Sequence, residues 1–233
     1  MLMLAALVAA SGCNREQRLA EQAAAQAAAA EDAAAQAEVA FESAVAAQNW
    51  ALAKAQAEVL LATYPQSAAA VRVQSKLAEV TAKAEAQREQ SRMAGLWTYL
   101  KQPVKGGIQA SASIYAKEPL DVDGSGAKPV RLIFRDHPAW GKSSYLVLET
   151  GDFACHGGCK VKVTVDAKAA KSMAALRPET DEAIAMFIND ERALWRMTDG
   201  ATLLKIEFPV KSGGTRTATF EVAGLDRSQL PGW

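Results

Sequence analysis

The sequence has few of the side chains on which metal sites and histidine-based catalysis depend. Its 233 residues include two histidines and three cysteines, which leave little material for a metal cluster or a catalytic triad. The 26 basic and 26 acidic side chains cancel, so no net charge attracts the chain to nucleic acid. These shortages favour a binding protein over an enzyme, and we expect no cofactor and no bound metal.

No apolar run in the sequence is long enough to span a membrane. The longest run lies at the amino end, from Met1 to Ala10. A transmembrane helix needs about 20 such residues. The run ends in small residues, as a secretory signal peptide does at its cleavage site. The sequence therefore predicts export, with residues 1–12 as a signal peptide.

The end of this segment, Ala10-Ser11-Gly12-Cys13, resembles the lipobox of bacterial lipoproteins. The resemblance implies cleavage before Cys13 and fatty acylation of that residue, so that its acyl chains anchor the protein in a lipid membrane. Asn14 follows where an aspartate would retain such a lipoprotein in the inner membrane, which implies the outer membrane, facing the periplasm, with the inner membrane and the cell surface as alternatives. The alternative is a secreted protein with an incidental cysteine.

Residues 13–95 have a helical composition. Sixteen of the 35 residues from 14 to 48 are alanine, the best helix former, and none is glycine or proline. This stretch predicts a stalk or one partner of a thin coiled coil, with low-complexity disorder as the alternative. Apolar stripes over residues 50–64 and 68–84, separated by a turn with Ser67 as N-cap, predict a helical hairpin.

Residues 96–233 predict an antiparallel β-sandwich or small barrel, which makes the whole chain an α+β protein. The expected strands are residues 108–115, 130–135, 144–150, 160–165, 183–188, 202–208 and 216–222. Two helices are expected at residues 167–176 and 191–198, and Ser212-Gly213-Gly214-Thr215 predicts a hairpin turn. The β-rich region loosely resembles the β-domains of TagO/VasI-type envelope proteins, over residues 187–190, 203–207 and 219–225. This resemblance implies a fold and no site residues.

The segment from Cys155 to Cys159 reads Cys-His-Gly-Gly-Cys. Export to an oxidising compartment and two glycines that permit a sharp turn favour a disulfide between Cys155 and Cys159. A metal site that adds His156 and a redox-active thiol pair are the alternatives.

Trp140 lies in a predicted loop, and because large aromatic side chains are usually mostly buried, we expect it to fold back onto the β-domain; the alternative is an exposed anchor for a partner. We take Trp140 and His156 as candidate binding residues. The segment from Asp121 to Gly126 matches only the opening of a calcium-binding loop, because Leu132 stands where the final glutamate should be, and it predicts a polar turn.

Together these features predict a non-enzymatic cell-envelope lipoprotein, a binding or assembly module that Cys13 tethers to the membrane and that binds another envelope protein. The alternative is a periplasmic inhibitor or immunity lipoprotein that blocks a toxin or hydrolase with the loop of residues 151–159. A metal-handling or redox enzyme is the third class.

Overall fold

The structure is a computed structural model that describes residues 10–179 and 184–233, with the backbone alone for residues 10–14. Most of the predicted signal peptide therefore lies outside the described residues, as does the side chain of Cys13, whose acylation stays a prediction. The chain divides into two compact units, one ending at Arg88 and one running from Glu89 to Trp233. A helical N-terminal region followed by an antiparallel β-domain confirms the predicted α+β fold class.

The structure assigns the following secondary-structure elements. The helices are α1 (Ala10–Ala46), α2 (Trp50–Thr63), α3 (Ala68–Gly95) and α4 (Glu191–Met197). The strands are β1 (Trp97–Val104), β2 (Gly107–Tyr115), β3 (Val130–His137), β4 (Gly141–Leu148), β5 (Cys159–Val165), β6 (Lys171–Leu176), β7 (Ile184–Ile188), β8 (Leu203–Pro209) and β9 (Thr215–Glu221). Within the described part of the chain, no helix has both the length and the apolar composition of a membrane span.

The first unit has one apolar cluster to which α1, α2 and α3 all contribute. Its fully buried members include Ala34, Phe41, Ala53, Leu60 and Val73. The side chains of residues 15–32 are all exposed, so only the later part of α1 buries side chains against the other helices, although Glu31 accepts a hydrogen bond from the N–H of Ala68 at 3.2 Å. The expected two-helix hairpin is therefore part of a three-helix cluster, because Phe41 gives the alanine-rich helix a large apolar side chain to bury.

Ion pairs join α1 to α3. Glu38 accepts a hydrogen bond from Arg72 at 2.7 Å, and Glu42 pairs with Lys76 at 2.6 Å. Both partners advance by four residues from one pair to the next, so the two helices run in the same direction. Ser67 caps α3 as expected, because its hydroxyl oxygen accepts a hydrogen bond from the backbone N–H three residues later.

The nine strands form one antiparallel sheet in the order β1-β2-β3-β4-β7-β6-β5-β8-β9. All nine contribute side chains to a single core. The sheet curves around this core, since the N–H of Lys117, just after β2, donates to the carbonyl of Thr219 in β9 at 2.7 Å. The β-domain is therefore a curved single sheet, closer to the expected barrel than to two stacked sheets.

All seven expected strands are present, with ends shifted by a few residues at most; residue 183 lies outside the described residues. The expected turn between the last two strands joins β8 to β9, and Gly213 and Gly214 supply its positive φ angles of 101° and 74°. Alternating inward and outward residues made these strands recognisable in the sequence.

The prediction of a helix at residues 167–176 is wrong, because Lys171–Leu176 forms strand β6 between β5 and β7. Its lysine- and alanine-rich composition favours a helix. Met173 and Ala175, however, alternate with exposed neighbours and face the core. Asp166, at φ 49°, turns the chain after β5, and its carboxylate accepts from the N–H of Leu203 at 2.8 Å. Pairing with two neighbouring strands therefore outweighs the local helix propensity.

Strand β1 was not expected from the sequence. It pairs with β2 across the turn at Lys105 and Gly106, with Val104 opposite Gly107. Only the first residue of β1, Trp97, is buried, so the strand has no clear apolar alternation. This pattern fits an edge strand, which pairs on one side only.

Helix α4 covers most of the expected helix at residues 191–198. The carboxylate of Asp190 caps it by accepting from the N–H of Ala193 at 3.1 Å. The helix places Trp195 in the core, where its ring centroid lies 5.0 Å from those of Phe134 and Trp233. This aromatic cluster packs beneath the inner side of β3 and leaves the outer side of that strand for other contacts.

Candidate functional site

The turn between β3 and β4 presents Trp140 to solvent. Nδ1 of His137 accepts hydrogen bonds from the backbone N–H groups of Ala139 at 3.1 Å and of Trp140 at 3.3 Å, which fixes this turn. The Trp140 indole stacks on the His137 ring, with the centroids 3.9 Å apart and the planes at 14°. Trp140 is nevertheless 70% exposed. The expectation that Trp140 folds back onto the β-domain is therefore wrong: the ring is exposed, and its stacking on His137 holds it in place.

Arg135, on β3, lies beside the indole of Trp140. Its guanidinium is 5.3 Å from the ring centroid of Trp140 and 5.2 Å from that of Tyr145, within the range of cation–π attraction. Its Nε donates to the hydroxyl of Ser143 on the adjacent strand at 3.2 Å. Two rings and one hydroxyl therefore hold the guanidinium in place.

A second arginine, Arg131, occupies the same side of β3 four residues earlier. Its guanidinium lies 5.9 Å from the ring centroid of Tyr115 on β2. Among the described residues no carboxylate lies within 4.0 Å of Arg131 or Arg135, although such ion pairs occur elsewhere in the β-domain. Both positive charges are thus left without an anionic partner in the described chain.

Aromatic rings continue this surface across β4 and β7. Tyr145 and Phe187 are paired in the register of the two strands, and their ring centroids are 4.8 Å apart. Burial raises the pKa of Tyr145, although Arg135 and Arg131 lower it, so the phenol stays neutral near pH 7. We call this surface the arginine–aromatic face, which consists of Tyr115, Arg131, Arg135, Trp140, Tyr145 and Phe187.

The loop that contains His156 has a different construction. Cys155 and Cys159 are joined by a disulfide, with sulfur atoms 2.02 Å apart, so neither sulfur is a free thiol. Between the cysteines, His156, Gly157 and Gly158 are exposed. The exposed part of the loop is therefore small and carries no large apolar side chain.

Asp152 ties this loop to the rest of the β-domain. Its carboxylate accepts from Arg177 at 2.9 Å, pairs with Lys211 at 2.9 Å and lies 3.4 Å from Nε2 of His156. Burial by itself raises the pKa of Asp152, but the hydrogen bonds from Lys211, Arg177 and His156 together hold it well below its ordinary value. The arrangement uses His156 and Asp152 to anchor the loop.

Two further features of the β-domain are the calcium-like segment and a shallow pocket. In the calcium-like segment, the carboxylate of Asp121 accepts from the N–H of Gly124 at 2.7 Å and that of Asp123 from Ser125 at 3.0 Å, as in an ordinary polar turn. The described residues include no group of three or more His, Cys, Asp or Glu side chains that could hold a metal ion. A shallow pocket of about 300 Å³ is lined by residues that include Asp199 and Arg227.

The structure does not bring the two candidate binding residues into contact. Trp140 contacts the outer side of β3, whereas His156 contacts Asp152 in the loop before β5. Arg131, Arg135 and Tyr145 were not predicted as site residues from the sequence. The period of two in β3 and β4 could have placed them on one side of the sheet, but only the strand pairing shows that they meet.

Comparison with protein-family models gave no match, and comparison with curated proteins gave none either. Among solved structures, the chain is similar to one described as the crystal structure of invasion associated protein B from Bartonella henselae. The identity is 15% and the TM-score 0.37, and the match covers 55% of this chain and 84% of the other. A likeness of this degree identifies neither a family nor a function.

Proposed function

We propose that this chain is a cell-envelope lipoprotein, tethered to the membrane through Cys13, whose β-domain binds another envelope protein through the arginine–aromatic face. It works as a binding or assembly module and not as an enzyme. The observation that carries the proposal is Trp140, a large aromatic side chain that is 70% exposed yet stacked on His137. Tryptophan and arginine are the residues most enriched at the energetic centres of protein interfaces.

The fixed geometry of this face supports a binding role. Arg135 is held by Trp140 and Tyr145, and Trp140 by His137. Side chains that are already ordered lose less conformational entropy when a partner binds. The face therefore resembles a preformed binding surface more than an ordinary solvated strand.

The exposed part of α1 supports a tethered arrangement. Residues 15–32 begin two residues after the predicted lipidation site and bury none of their side chains. Eighteen helical residues extend about 27 Å at 1.5 Å per residue. This segment serves as a spacer between the lipid and the first packed residues of the helical cluster.

The alternative function, an inhibitor that inserts the loop of residues 151–159 into an enzyme, has less support. The part of the loop that is exposed between the cysteines consists of His156 and two glycines. Phe153 is fully buried, and Asp152 is engaged by Arg177 and Lys211. Apart from the imidazole of His156, the exposed part of the loop between the cysteines has no side chain that would fill a partner's pocket.

Two experiments test the two parts of the proposal. Mass spectrometry of the N-terminal peptide of the mature protein should show acylated Cys13; an unmodified peptide that starts at Met1 would refute the tether. A photo-crosslinking amino acid at exposed position 139, next to Trp140 and introduced in the native host, should give a discrete adduct with an envelope protein. The same amino acid at exposed position 168 is the matched control, and equal adducts at both positions would refute the binding face.

A further inference from the structure

We infer that the partner presents an acidic protein segment to the arginine–aromatic face, with two carboxylates about 13 Å apart on either side of an apolar side chain. The inference rests on the proposed function and specifies the chemistry of the partner. The inference is supported by the positive charge of Arg131 and Arg135 on one side of the sheet, which complements the negative charge of carboxylates.

The outward positions of β2, β3, β4, β6 and β7 carry positive charge and no negative charge. Strand pairing places Ser113, Ile133, Tyr145, Phe187 and Leu176 in one row across these strands. Arg131 and Arg135 lie on either side of that row, and no described outward position of these five strands is an aspartate or a glutamate. A surface with two unpaired arginines attracts carboxylates and disfavours cationic partners.

The spacing of the two arginines sets the spacing of the carboxylates. Arg131 and Arg135 are four residues apart on one strand, which at about 3.3 Å per residue separates their Cα atoms by about 13 Å. Between them Ile133 is only 7% exposed, so the apolar contact at the centre comes from Tyr145 and Phe187. An extended segment that lies along β3 has the same period, and carboxylates four residues apart would reach both guanidinium groups.

A protein segment fits this face better than a lipid surface does. Tyr145 and Phe187 are half-buried in the sheet surface, where they cannot insert among acyl chains. Each arginine is held against a ring, Arg131 by Tyr115 and Arg135 by Trp140. Planar guanidinium groups in fixed positions suit the two-point hydrogen bonding of carboxylates.

A selection from a random 12-residue peptide library, displayed on phage, against the full chain in detergent tests the inference. The selected peptides should carry two carboxylates four residues apart with an apolar residue between them. Fluorescence anisotropy then measures the affinity of a synthetic copy of a selected peptide and of the same peptide with both acidic residues replaced by their amides. We expect the replacement to weaken binding about tenfold or more, since hydrogen bonds between charged groups are lost.

Variants of the protein assign the effect to this face. Arg131→Gln with Arg135→Gln should weaken binding of the acidic peptide about tenfold, whereas Lys105→Gln with Lys168→Gln, which removes the same charge at exposed sites, should leave it unchanged. Equal losses in both double variants would overturn the inference. So would binding of anionic phosphatidylglycerol vesicles that competes with the peptide and depends equally on the two arginines.

One more variant separates failure of the inference from failure of the proposed function. The selected peptides could carry no carboxylates and still lose binding in the Trp140→Ala variant. In that case the arginine–aromatic face binds proteins, but the inference of an acidic partner is refuted. If no selected peptide depends on Trp140 or on either arginine, the binding face itself is refuted.

Discussion

Replacing Asp152 with asparagine tests whether one carboxylate holds the disulfide loop against the β-domain. Asparagine keeps the size of the side chain and one acceptor oxygen, but it loses the negative charge. Arg177, whose side chain is only 7% exposed, then has no anionic partner among the described residues. Lys211 loses its partner as well, but its side chain is 57% exposed and remains hydrated.

The expected cost is governed by the buried arginine. Breaking a buried pair by removing one partner costs about 3 kcal/mol, because the remaining charge stays buried without compensation. The exposed pair with Lys211 adds at most about 1 kcal/mol. We therefore expect the free energy of unfolding of the β-domain to fall by about 3 kcal/mol at pH 7.

The same contact makes a pH-dependent contribution. Hydrogen bonds from Lys211, Arg177 and His156 outweigh burial and hold the pKa of Asp152 in the folded protein below its ordinary 3.8. Because the folded-state pKa is depressed, the stabilisation is fully present above about pH 4 and is lost as the pH falls through the folded-state value. Below pH 4 the stability of the wild-type chain should therefore decrease more steeply than that of Asp152→Asn.

Urea unfolding followed by tryptophan fluorescence measures this effect, since Trp97, Trp195 and Trp233 lie in or against the core of the β-domain. Asp199→Asn is the matched control, because the side chain of Asp199 is 79% exposed and its contact with Arg227 is long, at 3.6 Å. This control should change stability by less than about 0.5 kcal/mol. A loss below 1 kcal/mol for Asp152→Asn at pH 7, or parallel acid profiles for variant and wild type, would refute the reasoning.

Three further sets of substitutions probe the helical cluster, the turn at Gly151 and the disulfide. Phe41→Ala should destabilise the helical unit by about 3–5 kcal/mol in thermal unfolding followed by circular dichroism, and Phe41→Leu clearly less; equal effects would contradict a packing role. Gly151→Ala should cost about 2 kcal/mol, because Gly151 has φ 72° and a Cβ there would lie 2.8 Å from a valine methyl group. Gly157→Ala, at φ 77° with open space around it, should cost only about 1 kcal/mol, and the reverse order of melting temperatures would count against the contact. Replacing Cys155 and Cys159 together with serine should cost about 2 kcal/mol in urea unfolding, and a loss above 4 kcal/mol would show that the bond does more than close a short loop.

The candidate site was only partly predictable from the sequence. Trp140 was recognisable because a large aromatic residue stands in a loop, and the Cys155–Cys159 disulfide followed from the short spacing and the predicted export. The contact of Arg135 with Trp140 and Tyr145 was not, since the arginine and the tyrosine come from two strands whose pairing the sequence does not state. Asp152 was missed because Arg177 and Lys211, which surround it, are distant in sequence.

The sequence by itself determined the features that depend on neighbouring residues: the alanine-rich helix α1, the Ser67 cap, and the alternation that marks strands such as β5. Tertiary structure decided the features that depend on distant partners. Residues 171–176 became a strand because β5 and β7 offer hydrogen bonds on both sides, and Phe41 joined α1 to a three-helix cluster. The arginine–aromatic face likewise exists only in the folded sheet. Local propensities amount to less than about 1 kcal/mol per residue, so burial and strand pairing can override them wherever distant segments meet.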